Sequence, residues 1–207
     1  MSELVLYHIA RSRSSVVLWM LEEVGEPYDI RLLSLKKGEN RAPGYLAVNP
    51  MGKVPALLHD GVVITEAAAI CCYLADRFPV AGLSVPIDRP DRGPYLKWLF
   101  FGPSCFEPAV TDRSLKREGA SRAMLGWGDF DSVMGVLRGA VSRSPFLLGD
   151  RFTTADVIIG SGLRWGMMFK VVPELPEFVA YTRRLEERPA LQRATAKDAE
   201  FANRDSG

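Results

Sequence analysis

With 26 lysines and arginines against 25 acidic residues, this 207-residue chain carries a net charge of +1, without the basic face that nucleic-acid binding needs. It is 47% hydrophobic and 25% charged, an ordinary soluble composition, and it is long enough to bury a real core. No apolar run reaches the 18 or so residues that span a bilayer. Met1-Ser2-Glu3 is not the basic opening of a signal peptide. Three cysteines, two of them adjacent as Cys71-Cys72, make a poor disulfide framework, so the expected setting is reduced and cytoplasmic.

Leu4–Ile9 is a compact apolar run that reads as a buried strand. Ala10-Arg11-Ser12-Arg13-Ser14 follows as a polar loop, with Ser14 or Ser15 able to cap the next element. Val16, Val17, Met20, Leu21 and Val24 recur at helical spacing, and Gly25 ends that helix. Tyr28–Leu33 reads as a second strand, and Lys36–Val48 as a loosely helical polar region around Pro43-Gly44. Two short apolar runs, Ala56–His59 and Val62–Ile64, then flank Asp60-Gly61, a dipeptide that specifies a two-residue hairpin turn. Pro55, with no N–H to donate, belongs at the first residue of the strand it opens. An X-Pro bond takes the cis form at a cost of only about 0.5–1 kcal/mol. A cis turn at Val54-Pro55 would leave the N–H and C=O of Val54 facing outward, where a peptide can pair as an extra strand. Thr65-Glu66-Ala67 opens a helix that runs to Phe78 and stops at Pro79, and its first N–H groups suit a carboxylate. A peptide-pairing edge beside an anion-binding helix start points to a small acidic peptide as ligand.

Between Val80 and Arg92 the composition changes. Gly82, Pro86, Pro90 and, just beyond, Gly93 break any periodicity, so a linker is expected at residues 80–90. Everything later reads as helix: Asp91–Phe101, Glu118–Val141, Thr154–Met168 and Pro176–Arg188. The element order β-α-β-α-β-β-α over residues 1–79 suits a thioredoxin-like α/β domain, followed by an all-α helical bundle over 91–207. At Phe152-Thr153-Thr154-Ala155-Asp156, Thr153 can cap a helix start while Asp156 reaches back to it, a structural role. Dithiol chemistry is not expected, since Cys71-Cys72 lies mid-helix and no Cys-x-x-Cys exists. His8 and His59 lack companions at metal-ligand spacing, so no metal is expected and both read as packed or surface histidines.

Asn49-Pro50-Met51-Gly52-Lys53-Val54-Pro55-Ala56-Leu57, the Gly-bearing hairpin and Thr65-Glu66-x-x-Ala69-Ile70 together resemble the glutathione-binding half of the cytosolic glutathione transferases. The resemblance is strong from Leu4 to about Phe78 and general beyond. It implies attack by the glutathione thiolate on hydrophobic electrophiles, a detoxification chemistry, with glutathione as co-substrate and no metal. Glutathione-dependent isomerase, dehalogenase or peroxidase work on the same thiolate, or a non-catalytic binding module, are the alternatives. A thiol of pKa near 8.5 is only a few per cent ionised at neutral pH, and lowering that pKa by one takes about 1.4 kcal/mol. A hydroxyl aimed at sulfur, at the positive end of a helix, supplies an effect of that size.

Three hydroxyls qualify for that role. Aligned backward from Gly25, Ser12 falls where the serine-type classes carry theirs; Tyr7 matches the tyrosine-type classes, and Ser14 is the third candidate. The cysteine of the beta class would fall at Arg13, which excludes that mechanism, while Arg13 also matches an arginine of the tyrosine-type pattern. The resemblance assigns Asn49 and Lys53 to the glycine end of glutathione. Val54, set up by Pro55, pairs with the cysteinyl backbone, and Glu66 with the N–H of Ala67 holds the γ-glutamyl end. The family usually has Ser where Ala67 stands, so one hydroxyl contact is missing. A second-substrate pocket is expected between the domains, lined by Tyr95, Trp98, Leu99, Phe101, Cys105 and Phe106, with Trp165, Met168 and Phe169 from a later helix. Gly102-Pro103 is expected to break the helix and widen the cleft. A homodimer is expected, because the Glu66–Phe78 helix and the first bundle helix usually meet across a two-fold axis, and Ala67–Cys72 is small and apolar.

Overall fold

The computed structural model describes residues 3–117 and 123–206. Two compact units emerge: Met1–Ala81 together with Arg188–Gly207, and Gly82–Glu187.

In the first unit, β1 (Leu4–His8) is followed by α1 (Ser14–Val24), β2 (Asp29–Leu32), α2 (Pro43–Leu46), β3 (Ala56–His59), β4 (Val62–Thr65) and α3 (Ala67–Arg77). The four strands form one sheet in the order β2-β1-β3-β4. β1 and β2 run parallel, while β1–β3 and β3–β4 are antiparallel. This is the thioredoxin-like arrangement expected from the element order. β1 sits centrally and no residue in it is more than 8% exposed, which explains why it reads as an unbroken apolar run rather than an alternation. Edge strand β4, with one side free, begins with two exposed valines. The hairpin turn is as the Asp60-Gly61 pair demands, with φ +49° and +83° at its two central residues. Gly25 takes φ +78° and returns its N–H to the carbonyl of Leu21, closing α1 with a left-handed cap. The region 36–48, left open by its polar sequence, holds one turn of 3-10 helix (Glu39–Arg41) and then α2.

The final helix, α9 (Pro189–Ser206), belongs to this first unit. The expected helical domain of 91–207 is therefore divided, because α9 packs along α1. Its buried apolar face is modest: Ala190, Leu191, Ala194 and Ala202. One leucine contributes only about 2 kcal/mol, and polar contacts to α1 add to it. Arg188 forks onto Glu23 with both hydrogen bonds at 2.6 and 2.7 Å. Glu22, 8% exposed, accepts from Arg193 at 2.7 Å and from Lys197 at 2.5 Å. Burial raises the Glu22 pKa, but hydrogen bonds from Lys197, Tyr28 and Arg193 outweigh it and the net shift is downward. Asp198 is lowered in the same way: its burial is outweighed by hydrogen bonds from His8 and Ser15.

A carboxylate whose folded pKa is depressed stabilises fully above its unfolded value, and that stabilisation is lost as pH falls through the folded value. The unfolded references here are 4.5 and 3.8. The protection of the α9 amides, taken against their intrinsic exchange rate at each pH, is therefore expected to hold at neutral pH and to fall below about pH 4, ahead of that of the β1 amides. Loss of α9 protection at pH 6, with both carboxylates still ionised, would contradict this account.

The second unit contains α4 (Arg92–Phe101), α5 (Glu107–Ser114), α6 (Phe130–Val141), α7 (Thr154–Met168) and α8 (Pro176–Glu186). The expected linker is not loose throughout. Leu83 and Val85 are buried, and the Leu83 carbonyl accepts from both the N–H and the hydroxyl of Thr154, at 3.0 and 3.2 Å. The expected break at Gly102-Pro103 is instead one π-helical turn, Gly102–Phe106, leading directly into α5. The wider turn accommodates Pro103, which has no N–H to place in the ladder. Gly102 is needed there, since a Cβ on it would lie 2.6 Å from Ile158 of α7.

The expected helix 118–141 is shorter. Residues 118–122 lie outside the described part, and α6 starts only at Phe130, where the Asp129 carboxylate caps the Ser132 N–H at 2.7 Å. Gly128, at φ +71°, precedes that cap in a turn. α7 begins as its sequence indicates. Asp156 reaches back to the Thr153 N–H at 3.0 Å, and it also accepts from the Leu147 N–H at 2.9 Å and the Tyr181 hydroxyl at 2.8 Å. Three segments of the unit are thereby tied to one fully buried carboxylate. No described helix is long and apolar enough to cross a membrane.

Candidate active site

The strand registers gather the candidate residues. Tyr7 of β1 faces Ala56 of β3, and Ala56 faces Thr65 of β4. One end of the sheet therefore carries three things: the loop leaving β1, the Val54-Pro55 approach to β3, and the Glu66-Ala67 exit from β4. All three lie within the first unit. The Val54–Pro55 bond is cis, and the paired register of β3 begins only at Ala56, so Val54 stands ahead of the ladder.

The turn before it is stiff. Asn49, 5% exposed, donates to the Lys53 carbonyl at 2.7 Å and accepts from the Met51 N–H at 3.1 Å. The Tyr45 hydroxyl donates to the same carbonyl at 2.5 Å. The resemblance assigns Asn49 to a ligand, whereas its amide is engaged inside this turn and shapes the path of Lys53 and Val54. Lys53 itself is exposed. On the other flank Glu66 is exposed and adopts φ +69°, ψ +116°, a region that costs a non-glycine residue about 1–3 kcal/mol. Strain of this kind persists where the backbone must present a group in one direction. Ala67 starts α3, whose first-turn N–H groups have no partner within the helix.

The loop after β1 is the most highly connected part of the site. The Ser12 hydroxyl donates to the Ile9 carbonyl at 2.7 Å and lies 2.8 Å from the Ser14 hydroxyl. Ser14, fully buried, is 2.7 Å from Nδ1 of His8, and its Oγ accepts the Ile9 N–H at 3.1 Å. Nε2 of His8, also fully buried, is 3.0 Å from the Asp198 carboxylate. Asp198 in turn accepts from the Ser15 hydroxyl at 2.8 Å and from the Arg11 N–H at 3.1 Å. Arg11 holds φ +54°, a second positive-φ residue at this end of the sheet, on a different loop from Glu66.

Tyr7 is 8% exposed and packs with Tyr45 and Ala56, the two tyrosine rings 5.5 Å apart. Its hydroxyl is met by Arg31 at 3.3 Å. Arg13 is exposed at the start of α1. The sequence alone reads His8 as a packed histidine and does not single out Asp198. A polar residue at the last position of an apolar strand is the available signal for His8; nothing local marks Asp198.

In the second unit, the expected lining residues separate into two groups. Tyr95, Trp98 and Phe106 are 0%, 6% and 5% exposed, and Phe106 lies against α7, where a Cβ on Gly162 would come within 2.5 Å of its ring. These three are core, as aromatics at helical spacing commonly are. Phe101, Cys105 and Trp165 are half-buried and retain accessible surface. Among the described residues no group of three or more His, Cys, Asp or Glu could hold a metal ion. Burial pushes the Cys71 thiol far up, which leaves it inert.

Comparison with known proteins agrees with this geometry. Residues 2–76 match the glutathione S-transferase N-terminal domain and residues 129–189 the glutathione S-transferase C-terminal domain. The chain is 31% identical over 186 residues to glutathione S-transferase GstA of Escherichia coli O157:H7, covering 86% of this chain and 90% of that one. It superimposes on the crystal structure of glutathione transferase URE2P6 from Phanerochaete chrysosporium, in complex with oxidized glutathione. The TM-score is 0.80 at 26% identity, covering 97% and 98% of the two chains. A glutathione transferase of Methylococcus capsulatus gives a TM-score of 0.79 at 28% identity, covering 95% and 98%. The sheet-end motifs, the two matched domains and the whole-chain likeness lead to one conclusion: this chain belongs to the glutathione S-transferase family.

Proposed function

We propose that the chain is a serine-type glutathione transferase that binds glutathione at the sheet end and activates its thiol for attack on a hydrophobic electrophile. The observation that carries this reading is the register-enforced convergence of the Ser12 loop, Val54 and the Glu66-Ala67 helix start. Val54 offers backbone pairing to the cysteinyl residue. Exposed Lys53 neutralises the glycyl carboxylate, and Glu66 with the Ala67 N–H receives the γ-glutamyl end. Ser12, just ahead of α1, donates to the sulfur at the positive end of a helix. Similar structures solved with oxidized glutathione and with glutathione, from Phanerochaete chrysosporium and a sphingomonad, support the ligand assignment. Three cysteines without a disulfide among them suit a reducing, cytoplasmic setting.

The purified protein is expected to be retained on immobilised glutathione and to conjugate glutathione to chlorodinitrobenzene. Failure of retention overturns the proposal; retention without conjugation replaces it with a non-catalytic binding module. We further propose a homodimer through α3, whose Ala67–Cys72 segment permits close helix approach. Light scattering on the same sample tests it, and a monomer at micromolar concentration refutes it.

A further inference from the structure

We infer that His8 is the internal acceptor of the thiol proton, reached through Ser12 and Ser14 and held in place by Asp198. The inference rests on the proposed glutathione reading, and it concerns where the proton goes once the thiol ionises.

The geometry is a continuous chain of short contacts: Ser12 Oγ to Ser14 Oγ at 2.8 Å, Ser14 Oγ to His8 Nδ1 at 2.7 Å, and His8 Nε2 to Asp198 at 3.0 Å. Its outer end, Ser12, is partly accessible, while Ser14 and His8 are sealed from solvent. A fully buried imidazole costs free energy unless its polar atoms are engaged. The groups facing the ring are Ser14 of α1 and, from α9, Asp198 and the Phe201 ring at 5.7 Å; the Arg204 guanidinium lies over that Phe201 ring, 5.7 Å from its centroid.

Proton positions in this chain have two consistent settings. With His8 neutral and its proton on Nε2, which lies 3.0 Å from the Asp198 carboxylate as a charge-pair contact rather than an aligned hydrogen bond, Nδ1 must accept from Ser14. The Ser14 oxygen then takes the Ile9 N–H on one lone pair and keeps the other for Ser12, 2.8 Å away, so the Ser12 hydroxyl points inward, at Ser14 or at the Ile9 carbonyl 2.7 Å away. In this setting Ser12 has no proton to offer a ligand. With His8 protonated, Nδ1–H donates to Ser14. The Ser14 hydroxyl turns to the Ile9 carbonyl at 3.1 Å or to Ser12, and the Ser12 proton is released to point outward.

One transfer interconverts the two. The thiol S–H bond breaks and its proton passes to Ser12 Oγ; the Ser12 proton passes to Ser14 Oγ, and the Ser14 proton to His8 Nδ1. One S–H bond is lost and one N–H bond is formed, leaving a thiolate, an imidazolium and two neutral hydroxyls. The same step that ionises the sulfur thus turns the Ser12 hydroxyl into its hydrogen-bond donor, and the Asp198 carboxylate stabilises the new cation. His8 acts through two serines and does not touch the sulfur; it is a positioning residue that also stores the proton.

The chain has two histidines, so histidine ring NMR resolves the question, with His59→Gln assigning the signals. The measurement is made near pH 7.5, above the ordinary imidazole pKa of about 6.5 and below the free-thiol value of about 8.5. On saturation with glutathione, thiolate absorbance should appear in the far ultraviolet while the His8 ring acquires imidazolium shifts. Proton release into a weakly buffered solution should fall well short of stoichiometric. In Ser14→Ala, thiolate that still forms should appear with His8 neutral and stoichiometric proton release. Asp198→Asn should give the same signature and serves if Ser14→Ala does not fold. Wild-type thiolate formed with a neutral His8 and full proton release overturns the relay and leaves the glutathione reading intact. Absence of glutathione binding or of thiolate overturns both.

Discussion

Ser12→Ala is expected to lower conjugation turnover roughly 10²-fold, about 2.7 kcal/mol of barrier, with little change in glutathione affinity. The asymmetry follows from where the contacts are made. In the proposed binding mode Val54 pairs with the backbone of glutathione, Lys53 meets its glycyl carboxylate, and Glu66 with the Ala67 N–H holds the γ-glutamyl end, whereas Ser12 addresses only the atom that develops charge. In the wild type the pH–rate profile should hold its plateau down to about neutral pH. In Ser12→Ala the ascending limb should move up towards the free-thiol value near 8.5. Tyr7→Phe is the control. Its ring packs against Tyr45 and its hydroxyl faces Arg31, so the limb should stay in place. A shifted limb in Tyr7→Phe with none in Ser12→Ala would transfer the role to the tyrosine. An unmoved limb in both variants would pass it to Ser14 or to backbone N–H groups.

The largest expected effect on stability belongs to Asp156. Replacing it with Ala leaves the Leu147 and Thr153 N–H groups and the Tyr181 hydroxyl without their acceptor. Each stranded buried donor costs about 1–3 kcal/mol. Part of this is offset, because burial raises the Asp156 pKa against the pull of its hydrogen bonds, so the ionised group is itself under strain. A net loss of about 4 kcal/mol is expected, which corresponds to a fall in Tm of roughly 8–16 °C for a chain of this size. Asp156→Asn keeps one acceptor oxygen and should lose about half as much. Thermal unfolding followed by circular dichroism checks both, and an Ala variant that melts with the wild type would show that these bonds contribute nothing net.

Local chemistry explains which features are readable in the sequence. Asp60-Gly61, Gly25, Pro55 and the Thr153–Asp156 pair each enforce a backbone geometry within four residues of themselves, and each does in the structure what its chemistry requires. The candidate site is legible for the same reason: its backbone-presenting parts sit within 49–67. What escapes depends on long separations or on context. His8 and Asp198 are 190 positions apart, and an aspartate on a charged terminal helix looks like solvated surface until α9 is seen to lie on α1. Gly102-Pro103 looks like a helix break, because the sequence does not reveal that Ile158 crosses close enough to require a glycine. Tyr95 and Phe106 resemble pocket lining for a related reason: helical spacing says which residues share a face but not what covers it.

The placement of α9 has a consequence for how the protein can be made and cut. The first unit is written in two pieces, with the helical unit inserted between Ala81 and Arg188. During synthesis the sheet emerges early, but Glu22, Glu23 and His8 lack their partners Arg193, Lys197, Arg188 and Asp198 until the segment from Arg188 onward has been made. A fragment ending at Ala81 would therefore carry an uncovered face of α1 and an imidazole without its carboxylate. By contrast, residues 82–187 form a natural cassette. Exchanging that segment between relatives would alter the helical unit while leaving the proposed glutathione site whole.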